Sequence, residues 1–540
     1  MKNTLLFLIL FISLNLFAQD KKINIKHADF FEIDEENFPG ATIGLGNVFI
    51  EVDGATLMCK KAIYYEADNY LQAVGDATLN QGDTIIQTSK YIEYDGQTKQ
   101  SLSWGDVVLK NQTMTLKTDT LHFDRVAQQL FYNSHGVIED DTNVLESENG
   151  NYFLNEHKFQ AQTDVIITNP DYVLNSNHLD YYTDTGKAYL FGKTTIKGKE
   201  SFIYAEKGYY DTKADISHFI KNAYILYNDR RIDGDSLYYD RKKGFASATN
   251  NIIMTDTINN TILKGNYAEY YQHKDSAFVV NKAIAITKTE NDSIYIHGDT
   301  LLATGKPDKR IIRAYHHVKF FKPDLSGKCD SLFSDQAAGL LKLFKKPILW
   351  TENGQITGKL IHILSNTETE KLDSLKVLEN AFLIQKDSID GFNQIKGRDM
   401  FAKFEDNEIR TVDFIGNGEI LSYLRKDNPK KDLIGISITT CSKFHVEFIN
   451  KEINKIRFFT NEEGKTYPPS ELPENARKLR DFIWRDDERP KTKEDIFIRD
   501  LETPDIDPDK KLIRKNLSQQ KDIENPNKDL ENFEEFPDDE

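Results

Sequence analysis

Gly105-Asp106-Val107-Val108-Leu109 is the stretch on which the fold turns, because the same phrase stands upstream as Gly75-Asp76-Ala77-Thr78-Leu79 and Gly46-Asn47-Val48-Phe49-Ile50. Downstream it returns as Ser134-His135-Gly136-Val137-Ile138, Thr163-Asp164-Val165-Ile166-Ile167, Gly192-Lys193-Thr194-Thr195-Ile196 and Lys221-Asn222-Ala223-Tyr224-Ile225. Asn250-Asn251-Ile252-Ile253-Met254 and Asn281-Lys282-Ala283-Ile284-Ala285 continue the series. Looser copies follow at His316-His317-Val318-Lys319-Phe320, Lys346-Pro347-Ile348-Leu349-Trp350, Glu379-Asn380-Ala381-Phe382-Leu383 and Asn417-Gly418-Glu419-Ile420. With positions 48, 77, 107, 137, 165, 194, 223, 252, 283, 318, 348, 381 and 418 taken as equivalent, thirteen copies stand 28 to 37 residues apart. A period of this length marks a stack of supersecondary units, none of which can cover its own apolar face without its neighbours.

A second phrase keeps the same phase, a polar step followed by an apolar-x-aromatic strand. Examples are Tyr91-Ile92-Glu93-Tyr94-Asp95, Leu121-His122-Phe123-Asp124, Gly208-Tyr209-Tyr210-Asp211 and Leu237-Tyr238-Tyr239-Asp240. Asp95, Asp124, Asp211 and Asp240 recur at strand ends, which is where turn formers belong and not how a catalytic pair is placed. Each unit reads as about three short strands separated by Gly, Asn or Asp turns. The expected fold is all-β: an elongated repeat β-jelly-roll or β-solenoid of about thirteen units of roughly 29 residues. Alternation puts Val48 and Ile50, Val107 and Leu109, Val165 and Ile167, Ile196, Ile225, Ile252 and Met254, Val318 and Phe320, and Ile348 and Trp350 on one face. These residues are core in the plain reading, and candidate lipid-groove residues if the sheet stays open along one side.

Around the repeat the organisation is simple. Met1-Lys2-Asn3 followed by an apolar run to Phe17 reads as a secretory signal peptide over residues 1–19, too short to span a bilayer. The repeats occupy 20–280 and, with capping strands, 281–460. Leu472, Ala476, Leu479 and Ile483 at helical spacing suggest a short helix within 461–484, and 485–540 reads as a charged disordered tail. The net charge of -17 disfavours nucleic acid, which needs a concentrated basic surface. Cys59, Cys329 and Cys441 are odd in number and far apart, and read as small strand residues. No nucleotide-binding, hydrolase or metalloprotease motif is present, and His316-His317 would point to opposite faces of a strand. No catalytic residue, metal site or cofactor is expected, and the chain reads as a non-enzyme.

The phased segments, Ile232-Asp233-Gly234-Asp235-Ser236-Leu237-Tyr238-Tyr239-Asp240 and Gly105-Asp106-Val107-Val108-Leu109 among them, resemble the OstA-like, or LptA-like, proteins of lipopolysaccharide transport. That family includes the periplasmic bridge LptA and the N-terminal periplasmic domain of LptD, and the likeness covers roughly residues 23 to 420. It implies a twisted β-jelly-roll in the periplasm whose interior takes lipid A acyl chains. It also implies end strands that pair with other jelly-rolls of the transport system, or end to end with another copy. This chain is much longer than the single-domain bridge and lacks a run of membrane-barrel strands. Two other readings stay open: a parallel β-helix that binds or cleaves polysaccharide, and a purely structural or adhesive solenoid with a sealed interior.

Overall fold

The computed structural model describes residues 23–500, apart from positions 53, 83–84, 113, 228–229, 259, 289–291, 307–308, 370, 388, 427, 450–451 and 461. The expected signal peptide, and the expected tail beyond residue 500, lie outside the described residues. The described residues up to Phe497 form one unit, and Ile498 to Asp500 belong to a second.

The first unit is an antiparallel β-meander. Strands such as Tyr70–Gln81, Ile85–Asp95, Gln100–Lys110 and Thr115–Asp124 run back and forth, each paired with its neighbours along the chain. Every described pairing is antiparallel, which excludes the parallel β-helix. The expectation of three short strands per unit is corrected: over stretches such as 42–110 and 158–211 a unit carries two long strands, and elsewhere many strands break near their middle into shorter ones, as Gln129–Tyr132 and Gly136–Glu139 do. The Gly-Asn or Gly-Asp step is not a turn between strands but a kink within one: Gly46 and Asn47 (φ 72 and 40) lie inside strand Thr42–Val52. The ladder steps there from Leu45↔Lys61 to Val48↔Cys59, three residues against two, so one residue bulges and the strand bends without ending. The same step recurs at Val74/Ala77, Trp104/Val107, Gln162/Val165, Thr249/Ile252 and Tyr315/Val318. Glycine and asparagine are favoured because the left-handed region costs them little.

Opposite the bulge the partner strand carries a small residue. Cys59 faces Val48, Ser89 faces Ala77, Thr118 faces Val107, Ser176 faces Val165, Ala205 faces Thr194, and Gly265 faces Ile252. The inside of the bend is crowded: a Cβ at Gly265 would sit 2.5 Å from Val279 Cγ1. The hydroxyls also satisfy carbonyls freed by the kink, as Ser89 Oγ donates to Tyr91 O at 3.1 Å and Ser176 Oγ to His178 O at 3.0 Å. Cys329, opposite Val318, and Cys441, opposite Gly418, occupy the same position. All three cysteines are buried and unpaired, and burial pushes the Cys329 thiol up to about 12, so they are spacers.

A bend or a break at the middle of the strands folds the meander along its long axis, and two arms close over a shared apolar interior. One cluster runs continuously from Val107 to Val446, and a second covers Ile23 to Tyr94. The hairpins fall in two rows. One row contains 66–69, 96–99, 125–128, 272–275 and 336–339; the other contains 111–114, 170–171, 199–200 and 257–260. In the first row Asp95, Asp124, Asp211 and Asp240 do act as turn formers. Asp124 Oδ1, for example, accepts the amides of Val126 and Ala127 at 2.8 and 2.9 Å.

The helix expected within 461–484 does not form. Glu463–Tyr467 is a strand, and Glu474–Ala476 is a single 3-10 turn capped by Pro473. Leu472 and Leu479 are buried, yet by docking separately on the outside of the sheet with Phe382, Ile384, Leu421 and Ile436. The described start of the charged tail, 485–497, also lies against the sheet, with Ile496 buried and the Phe497 ring 4.7 Å from that of His297. Residues 468–497 thus form a strap along the outer face. Tertiary contact overrides helical spacing here, because the apolar side chains dock separately and Gln355 and Gln394 of the sheet bond the strap backbone at Arg477, Leu479, Ile483 and Arg485.

Candidate functional site

The inner face of the folded meander is where the candidate groove residues were expected. Val48 and Ile50 lie in the N-terminal cluster, next to Leu57 and Leu71. Val107, Leu109, Val165, Ile196, Ile225, Ile252, Met254, Val318 and Phe320 lie in the main cluster, and Ile167 packs half-buried against it. Ile348 and Trp350 are buried but face the other way. Trp350 pairs with Gln355, Ile348 with Lys328, and both partners bond to the strap. The copies read at 137 and 348 are one residue out of phase. The left-handed residues are His135 and Lys345-Lys346, so the equivalent positions are Gly136 and Pro347, and Leu349 faces inward. A one-residue slip sends every side chain to the opposite face.

The interior is filled by side chains. Ile50, Leu71, Leu174, Phe219, Phe414 and Phe444 are among the largest that are fully buried. Among the described residues these side chains are covered by one another, which is the core reading of the inner face. Uncovered hydrocarbon surface of that extent collapses on itself in water. Between the two clusters sits a polar layer, where Gln87, 4 % exposed, donates to Ser103 Oγ at 2.6 Å.

Along the mouth between the hairpin rows, side chains reach from lip to lip. The Tyr172 and Tyr210 rings meet edge to face at 5.5 Å, and Tyr210 Oη donates to Asp215 at 2.5 Å. Gln272 Nε2 donates to Tyr227 Oη at 2.9 Å, and Gln336 Nε2 to Thr261 Oγ1 at 3.3 Å. Arg230 Nη1 lies 2.8 Å from Asp275 Oδ1 and donates to Tyr270 Oη at 2.9 Å. Arg310 reaches Asp256 at 3.5 Å and Asp275 at 3.7 Å. Beneath these last groups lies a cavity of about 40 Å³ with Met254, Leu263, Ala277, Ala303 and Ile312 in its wall. It is far below the roughly 300 Å³ at which drug-sized ligand sites begin.

Outside, two buried glutamines clamp the strap. Gln355 donates to Ile483 O and accepts from Arg485 N, both at 2.8 Å, while Gln394 donates to Arg477 O at 2.9 Å and accepts from Leu479 N at 2.8 Å. Each carboxamide thus bonds the backbone as a neighbouring strand would. Lys328 is ion-paired with Glu488. His316 and His317 form the left-handed pair of their unit and pair with different partners, Asp330 at 3.4 Å and Asp299 at 2.7 Å. No group of three metal-binding side chains converges among the described residues.

Residues 20–177 match the family model described as OstA-like protein. Over that stretch the chain is similar to OstA-like proteins. Among solved structures, a match is the crystal structure of LptH from Pseudomonas aeruginosa, described as the LptA-homologous periplasmic component of its lipopolysaccharide transport device. It is 19% identical, covers 22% of this chain and 82% of its own, and has a TM-score of 0.20. No curated protein matches.

The sequence reading missed the strap and the lip contacts. The strap had a signal: Ile348-Leu349-Trp350 and Ala381-Phe382-Leu383-Ile384 break the alternation, as a strand covered on both faces does. The lip contacts had none, because Arg and Asp at hairpins read as ordinary solvated turns.

Proposed function

We propose that this OstA-like chain is a periplasmic, non-enzymatic carrier that shelters the acyl chains of lipopolysaccharide between its two arms as part of a bridge toward the outer membrane. The observation that carries the reading is the apolar inner face repeated at one phase from Val48 to Val446, joined to the family match over residues 20–177. Because the interior is closed, loading requires the arms to part. The hydrocarbon tails then replace side-chain contacts with contacts of equal apolarity, so the exchange is close to neutral. Each strand crosses the midline only at its bulge, which gives the arms a line to flex on.

The ends suit docking of further jelly-rolls or of another copy. The first edge strand, Phe30–Glu32, exposes Phe30 and Phe31, and the last, Glu452–Phe459, exposes Ile456 and Phe459. Edge strands with unpaired backbone and apolar side chains add strands from partners.

Photoreactive residues at Val107, Ile167 and Ile252 in cells should give lipopolysaccharide adducts, while one at outward-facing Lys117 should not. Adducts at Lys117 alone would overturn the reading. The filled interior also favours a second reading, a purely structural solenoid. Mass spectrometry of lipid extracted from the purified protein separates the two, because that solenoid carries none.

A further inference from the structure

Four charged side chains converge where the lips meet near mid-length. Arg230 and Asp256 stand on one row of strand ends, and Asp275 and Arg310 on the other, so the ion pairs cross the mouth. The cations are the deeper partners: the Arg310 and Arg230 side chains are 6% and 14% exposed, against 15% and 25% for Asp256 and Asp275. Arg310 Nη2 is buried without a hydrogen-bond acceptor despite its ion pairs, as Asp275 Oδ1 and Gln336 Oε1 are without donors. Directly beneath lies the cavity walled by Met254, Leu263 and Ile312. Buried polar atoms seldom go unsatisfied, and an orphaned guanidinium N–H calls for an oxygen acceptor.

We infer that this cluster is a latch over the closed interior whose two arginines accept the phosphate of an anionic amphiphile. The inference rests on the carrier reading above and names where the head group is held. Closed, the two cations and two anions balance, and the lips stay together. When a tail parts the lips, Asp256 and Asp275, the less buried of the four side chains, turn to water. Arg230 and Arg310 then turn to the phosphate, whose oxygens match their planar forks in pairs. The tail lies between the parted arms on the apolar inner face while the head group remains at the mouth.

The test uses the full chain with bis-phosphorylated lipid A and its dephosphorylated counterpart, each presented in the same detergent micelles, and with inorganic phosphate alone. The wild type should favour the phosphorylated lipid by roughly tenfold or more, the scale of one charge-assisted contact. The double variant Arg230→Gln/Arg310→Gln should lose that preference and keep its affinity for the dephosphorylated lipid. Asp256→Asn/Asp275→Asn should keep the preference and load faster, because the latch is weakened. Should the arginine variant fold poorly, the four substitutions combined remove charge in balance and serve in its place, with the same expected loss of preference. No preference in the wild type, or one surviving in the arginine variant, overturns the inference alone. Free phosphate binding as tightly as the phosphorylated lipid overturns the assignment to an amphiphile. Failure to bind either lipid defeats the carrier reading, and this inference with it.

Discussion

The strands between residues 70 and 124 and those between 340 and 405 share an inner face and differ in the outer one. In the first region the outward side chains are wet and polar or aromatic: Gln72 bonds Glu93 at 3.0 Å, and Tyr91 stacks on Trp104 at 5.1 Å. In the second, Trp350, Gln355, Phe382, Ile384 and Gln394 are buried on the outward side, where the strap returns. The contrast teaches that alternation in a strand reports what covers its second face. A half-wet sheet alternates, and a doubly covered one runs apolar.

If the inner faces are equivalent, truncating them should cost alike in both regions. Leu121→Ala in the first region and Leu343→Ala in the second, both fully buried on the inner face, are each expected to cost about 2–5 kcal/mol, read from hydrogen exchange of the flanking strands. A cost confined to one region would break the comparison at its root.

The outer faces should respond differently. Gln394→Ala leaves the Leu479 amide and the Arg477 carbonyl without partners, at about 1–3 kcal/mol of strap docking. Exchange protection should vanish at the Leu479 amide and persist at Arg485, which Gln355 holds separately. Loss at both would mean that the strap docks as one cooperative piece.

Two outward histidines sharpen the comparison by pH. His218 is held below the ordinary histidine range by burial, with Nε2 2.7 Å from Ser236 Oγ. His362 is lowered by desolvation first, then by Lys342 and Lys376. In both, the folded state favours the neutral ring while the unfolded chain takes up its proton near pH 6.5. Stability is therefore intact above about 6.5 and falls as the pH drops through that value toward the lower folded one. NMR titration should find both depressed, and salt should move His362 part-way up while leaving His218 in place, since only lysine repulsion is screened. His218→Gln should shift acid unfolding to lower pH.

The smallest effect belongs to the exposed pairs of the first region. Lys117→Ala, which removes the 2.8 Å contact with Glu139, should change stability by under about 1 kcal/mol, measured by urea unfolding. A larger loss would show that the bare outer face is more than a solvated surface.

Much of the architecture was legible. Thirteen phased copies implied a stacked β-fold, Asp95 and Asp124 were placed at hairpins, and the pairs from Val48/Ile50 to Val318/Phe320 were assigned to one face. Strand number was misread because Gly46-Asn47 and its equivalents look the same whether they end a strand or kink it. At 348 the phase slipped because Pro347 occupies an inward position, and the apolar run Ile348-Leu349-Trp350 offers no alternation from which to recover it.

What the chain determined by itself is everything that repeats: period, alternation, turn chemistry and small residues inside each bend, all set by neighbours within about one unit. Only the tertiary structure decided that the arms close, that arginines and aspartates meet across the mouth, and that the C-terminal strap covers one outer face. Those contacts join residues 40 to 160 positions apart. They depend on which surfaces the completed fold brings together, and local periodicity carries no record of that.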